Sequence, residues 1–191
     1  YPLRRQRQMC IRDRFSTMDL TAEILNLIAT WGKKNKFCYL AGHSLGEYSA
    51  LVSIGSLTFE DALYLLHERG KSMQEAVPEG HGAMLAVLGL KLEDIEKLIK
   101  EIKVKGICEI ANDNSEGQLV LSGKNDDLDE LINILKSKKI KNIRLPVSAP
   151  FHCKLMRSAT KIMKNEIEKL SFHEGKNILI SNVTANEIST R

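Results

Sequence analysis

No run of apolar residues in this 191-residue sequence approaches the ~20 positions that a membrane-spanning helix needs, so no membrane span is expected. Proline (4 residues) and glycine (12 residues) are too scarce for a collagen-like or low-complexity chain. Hydrophobic residues make up 43% of the sequence, and a chain of this length buries about 70% of the surface that it exposes when unfolded. The composition therefore predicts one globular domain, or one domain with a small insertion.

A net charge of one sign is also absent once the first 14 residues are set aside. The sequence has 28 basic and 24 acidic residues, and residues 1–14 hold five arginines against one acid. The other 177 residues carry 23 charges of each sign, so no nucleic-acid-binding surface is predicted. Residues 1–14 have neither the apolar segment of a signal peptide nor the serine content of a transit peptide. We expect them to be a non-native or disordered tail.

The cysteines show no pairing pattern. None stands in a C-x-x-C motif, and no cysteine–histidine spacing matches a zinc site; the four are Cys10, Cys38, Cys108 and Cys153. We therefore expect free thiols in a reducing compartment and no bound metal. Because no targeting signal is present either, the expected location is cytoplasmic.

Short apolar runs and helical periodicities alternate along the rest of the chain, which is typical of an α/β fold. A capping pattern at Ser16 predicts a first helix that ends before Gly32. The continuous apolar run at 37–41 predicts a strand buried on both faces. Further helices are expected at 47–52 and after a second capping pattern at Thr58.

Residues 81–147 differ from their surroundings. They predict the order strand, helix, two strands, helix and strand, which is the βαββαβ order of a ferredoxin-like unit. The expected strands are 83–88, 107–111, 118–121 and 143–147, with a polar turn at 112–117. Another helix and a buried strand at 178–180 follow the loop 146–152. We therefore predict an α/β subdomain of residues 15–80 and 148–191 that is interrupted by residues 81–147.

The segment Gly42-x-Ser44-x-Gly46 has the pattern of a nucleophile elbow, a sharp turn between a strand and a helix. Such a turn strains the serine backbone, so the flanking positions need residues without a bulky Cβ. The hydroxyl then lies at a helix N-terminus, where N–H groups and a partial positive charge stabilise an oxyanion. The alternative is a glycine-rich turn in which the serine has no catalytic role.

A serine is a weak nucleophile unless a base lies within hydrogen-bond distance. Of the five histidines, His152 is the best candidate because it ends the loop 146–152, directly before a predicted helix. A structural role for His152 is the alternative. His43 adjoins Ser44 and is expected to point away from it, and the other three are expected at the surface or in a loop.

Arg69 lies on the apolar face of its predicted helix, at three, four and seven residues after Leu66, Leu65 and Ala62. A guanidinium on that face needs an acidic partner, because an unpaired buried charge is strongly destabilising. The partner is either an acidic side chain of the protein or the free carboxylate of a substrate, held by two hydrogen bonds.

Four segments together resemble the malonyl-CoA:acyl carrier protein transacylases of fatty acid synthesis, and the likeness runs in order from about residue 15 to the C-terminus. They are residues 42–50 (GHSLGEYSA), 69–79 (RGKSMQEAVPE), 112–123 (NDNSEGQLVLSG) and 146–153 (PVSAPFHC). The resemblance implies a hydrolase-like parallel-sheet subdomain that is interrupted by a small ferredoxin-like (βαββαβ) subdomain. This agrees with the order of strands and helices predicted above.

The resemblance also implies roles for single residues. Ser44 is implied to be the nucleophile, His152 its base, and Arg69 the residue that binds the substrate carboxylate. The backbone N–H of Leu45 is implied to donate to the oxyanion. Phe151 resembles the malonyl-selecting form of its loop, since methylmalonyl-selecting relatives carry serine there.

Asn114, within the predicted hairpin turn, is implied to contact the substrate. Members of this family begin with a strand and a G-Q-G-S/T-Q-type loop, whose glutamine backbone supplies a second oxyanion donor. They also continue beyond the point where this sequence stops. Residues 1–14 contain no such loop. We therefore expect a chain that is truncated at both ends.

The reaction implied by the resemblance passes a malonyl group from malonyl-CoA to Ser44, and then to the phosphopantetheine thiol of acyl carrier protein. No cofactor, nucleic acid or membrane partner is expected, and the expected state is a monomer. The alternatives are a serine esterase or thioesterase of the α/β-hydrolase type, an acyltransferase domain of a polyketide synthase, and a catalytically inert fragment. An esterase should need an acidic residue beside the serine and histidine, and no buried cation.

Overall fold

A computed structural model describes residues 38–101, 106–147 and 149–188 of the chain. The predicted tail at 1–14 and the predicted first helix lie outside these residues. The described elements, in chain order, are β1 (Tyr39–Ala41), α1 (Gly46–Ile54), α2 (Phe59–Ala76), β2 (Gly82–Leu88), α3 (Leu92–Glu101), β3 (Cys108–Ser115), β4 (Gln118–Lys124), α4 (Asn125–Ser137), β5 (Lys141–Arg144), a 3-10 helix (Lys154–Met156), α5 (Arg157–Ile167), β6 (Ile178–Ile180) and β7 (Glu187–Ile188).

Residues 71–162 form one compact unit. Its strands make an antiparallel sheet in the order β3-β4-β2-β5, and the chain passes through it as strand, helix, two strands, helix and strand. Helices α3 and α4 pack against the same sheet, because their apolar residues share one buried cluster with those of the strands. The members of that cluster with no exposed surface are Leu85, Val87, Ile95, Leu121, Leu128, Leu131 and Leu135.

The predicted turn at 112–117 is too long. β3 continues to Ser115, and only Glu116 and Gly117 form the turn. Gly117 has a φ of 74°, in the left-handed region that glycine adopts without steric cost, so two residues suffice to reverse the chain. The polar residues before the turn remain in the strand because the pairing of β3 with β4 shifts register twice within residues 110–115. Each shift is a bulge, which adds a residue to one strand without ending it.

β5 ends earlier than the strand predicted at 143–147. Its last residue is Arg144, although the N–H of Leu145 still donates to the carbonyl of Met84 at 2.9 Å. Pro146 has no N–H to continue the ladder, which accounts for the shorter strand.

The second unit holds residues 38–70 and 163–188 of the described chain. β1 and β6 pair in parallel, and β7 is antiparallel to β6, in the order β1-β6-β7. Helix α1 packs on one face of this sheet, where Ala50 and Ile54 share a buried cluster with Leu179. The parallel pair places the residues that follow β1 and β6 at the same edge of the sheet.

The prediction that the first strand is buried on both faces is wrong for the described part of β1. Leu40 is half-buried against the cluster under α1, but Tyr39 is 57% exposed and Ala41 is exposed. Successive side chains of a strand point to opposite faces, so among the described residues only the face toward α1 is covered.

Helix α2 begins as predicted from the capping pattern. The N–H of Asp61 donates to Oγ1 of Thr58 at 3.0 Å, and that hydroxyl donates to the Asp61 carboxylate at 2.7 Å. The following turns bury Ala62 and Leu65 in a cluster with Met163. The predicted inner face of this helix is therefore confirmed at Ala62 and Leu65.

The two compact units of the described chain meet after Gly70 and after Ile162. The subdomain boundaries predicted at 80/81 and 147/148 stay a prediction. Residues 73–77 and 149–156, on either side of the predicted insertion, share a cluster with one another. That cluster contains Met73, Ala76, Val77, Ala149, Phe151, Leu155 and Met156.

Three cysteines lie in the described residues, and none of them is in a disulfide. Cys38 is exposed, Cys108 is buried and Cys153 is half-buried. None of the described helices combines the length and the apolar character needed to cross a membrane.

Candidate functional site

Ser44 occupies a strained turn directly after β1. Its φ is 54°, in the left-handed region that residues with a side chain rarely adopt, and the N–H of Gly46 donates to the carbonyl of His43 at 2.9 Å. A Cβ at Gly42 would overlap the backbone of Gly46, whereas a Cβ at Gly46 would meet nothing within 4 Å. The elbow geometry predicted for Ser44 is confirmed, and the close approach requires glycine only at position 42.

Some of the backbone N–H groups around Ser44 donate hydrogen bonds within the turn, and one does not. Those of Glu47 and Tyr48 donate to the carbonyls of Ser44 and Leu45, each at 3.2 Å. The N–H of Leu45, which directly precedes α1, donates to no acceptor in the described part of the chain. The N–H of the residue after Ser44 is thus one of the helix N-terminal donors that no described carbonyl uses. Its role as the oxyanion donor stays a prediction.

Arg69 contacts the hydroxyl of Ser44. Its Nη2 donates to Ser44 Oγ at 2.9 Å across 25 residues of chain. Burial lowers the pKa of Arg69, and the nearby phenol of Tyr48 acts in the opposite direction. A guanidinium stays protonated in proteins even so, which makes Arg69 a partly desolvated positive charge next to the serine.

A second contact to Ser44 comes from a residue that the sequence analysis missed. The side chain of Asn182 accepts a hydrogen bond from the Ser44 N–H, with 2.8 Å between N and Oδ1. The N–H of Asn182 donates in turn to Oε1 of Glu47 at 2.7 Å. One signal in the sequence could have indicated Asn182, namely that it lies two residues after the predicted strand 178–180.

The loop that ends at His152 belongs to the unit of residues 71–162. His152 has a φ of 59° and an exposed side chain, and Phe151 packs in the cluster of Val77 and Met156. Non-glycine residues in this conformation persist only where the surrounding structure holds them, and they concentrate at functional sites.

Lys154 attaches this loop to β3. Its N–H donates to Oε2 of Glu109 at 2.7 Å, and its Nζ lies 2.6 Å from Oε1 of the same carboxylate. Burial by itself raises the pKa of Glu109, but the hydrogen bonds from Lys154 outweigh it, so the pKa is lowered. The residue two positions after His152 is therefore held by a charged pair.

Asn114 lies on β3, in the stretch of shifted register. It is partly buried, and its Nδ2 has no hydrogen-bond partner in the described part of the chain. A buried donor without an acceptor is unfavourable unless another molecule supplies one. The substrate contact implied for Asn114 stays a prediction.

The six residues predicted for the site are thus divided between two units. Ser44, Leu45 and Arg69 lie together in the unit that contains β1, while Asn114, Phe151 and His152 lie in the other. The pairing of Ser44 with His152 stays a prediction. Among the described residues, no group of three histidine, cysteine, aspartate or glutamate side chains has a geometry that could hold a metal ion.

The pattern that defines the acyl transferase domain matches residues 21–191. The chain belongs to the acyl transferase domain family. One relative of this chain is a Bacillus subtilis protein named malonyl CoA-acyl carrier protein transacylase, which is 39% identical to it over 155 residues. These residues are 80% of this chain and 49% of the relative. The chain thus spans about half the length of the curated relatives it matches.

Solved structures of acyl transferase proteins are similar as well. Malonyl CoA-acyl carrier protein transacylase from Clostridium perfringens has a TM-score of 0.82 and 38% identity, over 91% of this chain and 56% of that one. A type II PKS acyl-carrier protein in complex with its malonyl-transacylase gives a TM-score of 0.85 and 36% identity, over 91% of this chain and 57% of that one. The resemblance noted in the sequence is confirmed, and the mixed α/β fold is that of these acyltransferases.

Proposed function

We propose that this protein transfers a malonyl group from malonyl-CoA to the phosphopantetheine thiol of acyl carrier protein, through a malonyl ester of Ser44. The observation that carries the proposal is the 2.9 Å hydrogen bond from Arg69 Nη2 to Ser44 Oγ. It joins a hydroxyl on a strained turn to a cation withdrawn from water. A cation at that distance suits an acyl group that ends in a carboxylate.

In the first half of the proposed reaction, His152 accepts the proton of the Ser44 hydroxyl while Oγ attacks the thioester carbonyl of malonyl-CoA. The tetrahedral oxyanion is stabilised by the N–H of Leu45 and by the N-terminus of α1. The carbon–sulfur bond then breaks, and the departing thiolate of coenzyme A takes the proton from His152. Ser44 is left as its malonyl ester.

In the second half, the phosphopantetheine thiol gives its proton to His152 and attacks the ester carbonyl. The bond from that carbon to Oγ breaks, and Ser44 recovers its proton from His152. No redox step and no cofactor are required. The strained backbone of His152 and the attachment of its loop through Lys154 support the proposal that this residue is the base.

Selectivity for malonyl groups is proposed to come from Arg69. In a malonyl ester only a carbonyl carbon and a methylene separate Oγ from the free carboxylate, so the guanidinium can reach it. An acetyl group has no carboxylate and would form no charge-assisted hydrogen bond with the guanidinium, which disfavours it relative to a malonyl group. Phe151 and Asn114 are proposed as further substrate contacts. In support, Nδ2 of Asn114 has no hydrogen-bond partner among the described residues.

For the architecture, we propose a hydrolase-like parallel-sheet subdomain that a ferredoxin-like (βαββαβ) subdomain interrupts. The parallel pair of β1 and β6, with the elbow after β1, supports the first part. The antiparallel order β3-β4-β2-β5 supports the second. A cytoplasmic monomer is proposed as well, and the unbridged Cys38, Cys108 and Cys153 support the reducing compartment.

The acceptor is proposed from the similar proteins. The Bacillus subtilis relative is named for malonyl-CoA and acyl carrier protein, and one similar solved structure is a complex of an acyl-carrier protein with its malonyl-transacylase. Since that complex is described as type II PKS, the carrier protein of this chain belongs either to fatty acid synthesis or to a polyketide synthase.

Intact-mass spectrometry after incubation with malonyl-CoA tests the proposal. The expected result is a stable malonyl adduct on Ser44 that disappears when acyl carrier protein bearing phosphopantetheine is added. Ser44→Ala should form no adduct, and His152→Ala should form it far more slowly. Rapid release of free malonate without a thiol acceptor would favour the esterase, and no adduct at all would identify an inert chain.

A further inference from the structure

The backbone of Ser44 is held by a residue far away in the chain. Its N–H donates to Oδ1 of Asn182 at 2.8 Å, across 138 residues. The Asn182 N–H donates to Oε1 of Glu47, in the first turn of α1, at 2.7 Å. Asn182 is therefore bonded to both ends of the short segment 44–47, with its side chain at one end and its backbone at the other.

The pairing of the sheet explains why these residues meet. β1 and β6 run parallel, with Ala41 opposite Ile180. The turn that contains Ser44 and the turn that contains Asn182 both follow the carboxyl ends of these strands, and in a parallel pair those ends lie side by side. The contact between Ser44 and Asn182 therefore follows from the register of the two strands, which brings both turns to the same edge of the sheet.

The turn that presents Asn182 is itself ordered by hydrogen bonds. The Ser181 N–H donates to the carbonyl of Asn186 and the Ala185 N–H to the carbonyl of Ser181, both at 2.9 Å. Oγ of Ser181 also accepts from the N–H groups of Val183 and Thr184, each at 3.2 Å. Asn182 thus projects from a closed turn, which restricts where its side chain can be.

We propose that Asn182 is a positioning residue for the nucleophile, and that Glu47 fixes Asn182 in place. The inference rests on the proposed function, because it concerns the rate at which Ser44 is acylated. With a φ of 54°, the Ser44 backbone keeps its conformation only where surrounding contacts hold it, and that conformation sets the direction of the bond to Cβ, which carries the hydroxyl. Asn182 supplies that restraint through the Ser44 N–H, and it leaves the neighbouring N–H of Leu45 to the oxyanion.

The test compares Asn182→Ala with the wild type in two reactions of Ser44. One is acylation by malonyl-CoA, and the other is phosphonylation by a fluorophosphonate, in which Oγ displaces fluoride from phosphorus. Both are followed by intact-mass spectrometry over a range of reagent concentrations. We expect the saturating rate to fall about tenfold to hundredfold in both reactions, since small displacements of a reacting group have effects of this size. The half-saturating concentration should stay within about twofold, because Asn182 contacts Ser44 and not the reagent.

Two further variants distinguish an effect on the position of Ser44 from an effect on the stability of the folded chain. Asn182→Asp combined with Glu47→Gln keeps an acceptor for the Ser44 N–H and an acceptor for the N–H of residue 182, without placing two carboxylates together. It should recover most of the lost rate. Asn186→Ala changes an exposed asparagine of the same turn and should react like the wild type. Thermal unfolding of each variant is measured alongside.

Each possible result of these measurements either supports or overturns the role of Asn182. An Asn182→Ala chain that melts earlier but reacts at the wild-type rate while folded overturns the inference, as does a rescue variant that stays slow. A wild type that reacts with the fluorophosphonate but not with malonyl-CoA removes the proposed function, while the fluorophosphonate rates still decide the role of Asn182. A wild type that reacts with neither reagent overturns both.

Discussion

Arg69 donates a hydrogen bond to the hydroxyl oxygen of Ser44, with 2.9 Å between Nη2 and Oγ. A guanidinium has five N–H donors and no acceptor, so Arg69 cannot take the serine proton. The contact therefore excludes Arg69 as the base for Ser44. It is compatible with the proposal that Arg69 binds the carboxylate of an acyl group carried by Ser44, while another residue acts as the base.

The first prediction concerns the selectivity that follows from this contact. In Arg69→Ala the malonyl adduct should form about tenfold to hundredfold more slowly, the range expected for loss of a charge-assisted hydrogen-bonded pair. The acetyl adduct from acetyl-CoA should form at least as fast as in the wild type. Mass-spectrometric rates with both thioesters give the malonyl-to-acetyl ratio.

Arg69→Lys provides the matched control for this selectivity. Lysine keeps the positive charge but loses the planar pair of donors, so its malonyl-to-acetyl ratio should lie between those of the wild type and Arg69→Ala. If the ratio is the same in all three chains, Arg69 does not select the acyl group.

The local parts of this site could be predicted from the sequence because their causes are local. The glycine–serine pattern fixed the turn at Ser44, and the apolar spacing of α2 indicated that Arg69 would be withdrawn from water. Asn182 could not be found in this way. Its contact depends on the parallel pairing of β1 with β6, which no spacing within either segment reveals.

The errors in the fold prediction have similar origins. The composition of residues 112–117 is typical of a turn, but bulges in β3 accommodate most of these polar residues within the strand. The apolar run at 37–41 suggested burial on both faces, yet around Tyr39 only the face toward α1 is covered by the part of the chain that the structure describes. In both cases the deciding factor is the neighbouring element, which a single segment of sequence does not specify.

The second prediction distinguishes the two glycines of the elbow. Gly42→Ala places a Cβ against the backbone of Gly46, so the free energy of unfolding should fall by about 1–3 kcal/mol, as for an overpacked site. Gly46→Ala meets no atom within 4 Å at the start of α1 and should unfold at the wild-type urea concentration or slightly above it. Equal destabilisation of the two variants would contradict the close approach at Gly42.

The third prediction concerns the reactivity of the cysteines. Burial, with a smaller contribution from Asp127, raises the pKa of the Cys108 thiol from 9.0 to about 12. The thiolate is the reactive form, so at pH ~8 iodoacetamide should modify the exposed Cys38 at least a hundredfold faster than Cys108. Peptide mapping by mass spectrometry gives the two rates. In concentrated urea the difference should disappear, and its survival there would assign it to local sequence instead of burial.

The last prediction concerns the pH dependence of the attachment between Glu109 and Lys154. Because the hydrogen bonds from Lys154 lower the pKa of Glu109 in the folded chain, protons bind this carboxylate more readily when the chain is unfolded. Its contribution to stability is therefore fully present above the ordinary pKa of 4.5, and it is lost as the pH falls through the lower folded value.

Urea unfolding of Glu109→Gln and of the wild type, measured between neutral and acidic pH, tests this sign. The wild type should be more stable at neutral pH by up to about 1 kcal/mol, the usual limit for a pair with solvent access, and the difference should vanish in acid.

Glu116→Gln is the matched control, since Glu116 pairs with Lys91 while its side chain is 85% exposed. Its effect should be smaller at every pH, because water screens that pair. A difference between Glu109→Gln and wild type that grows as the pH falls would mean that Lys154 does not stabilise the charged form of Glu109, and that the loop carrying His152 is held by other contacts.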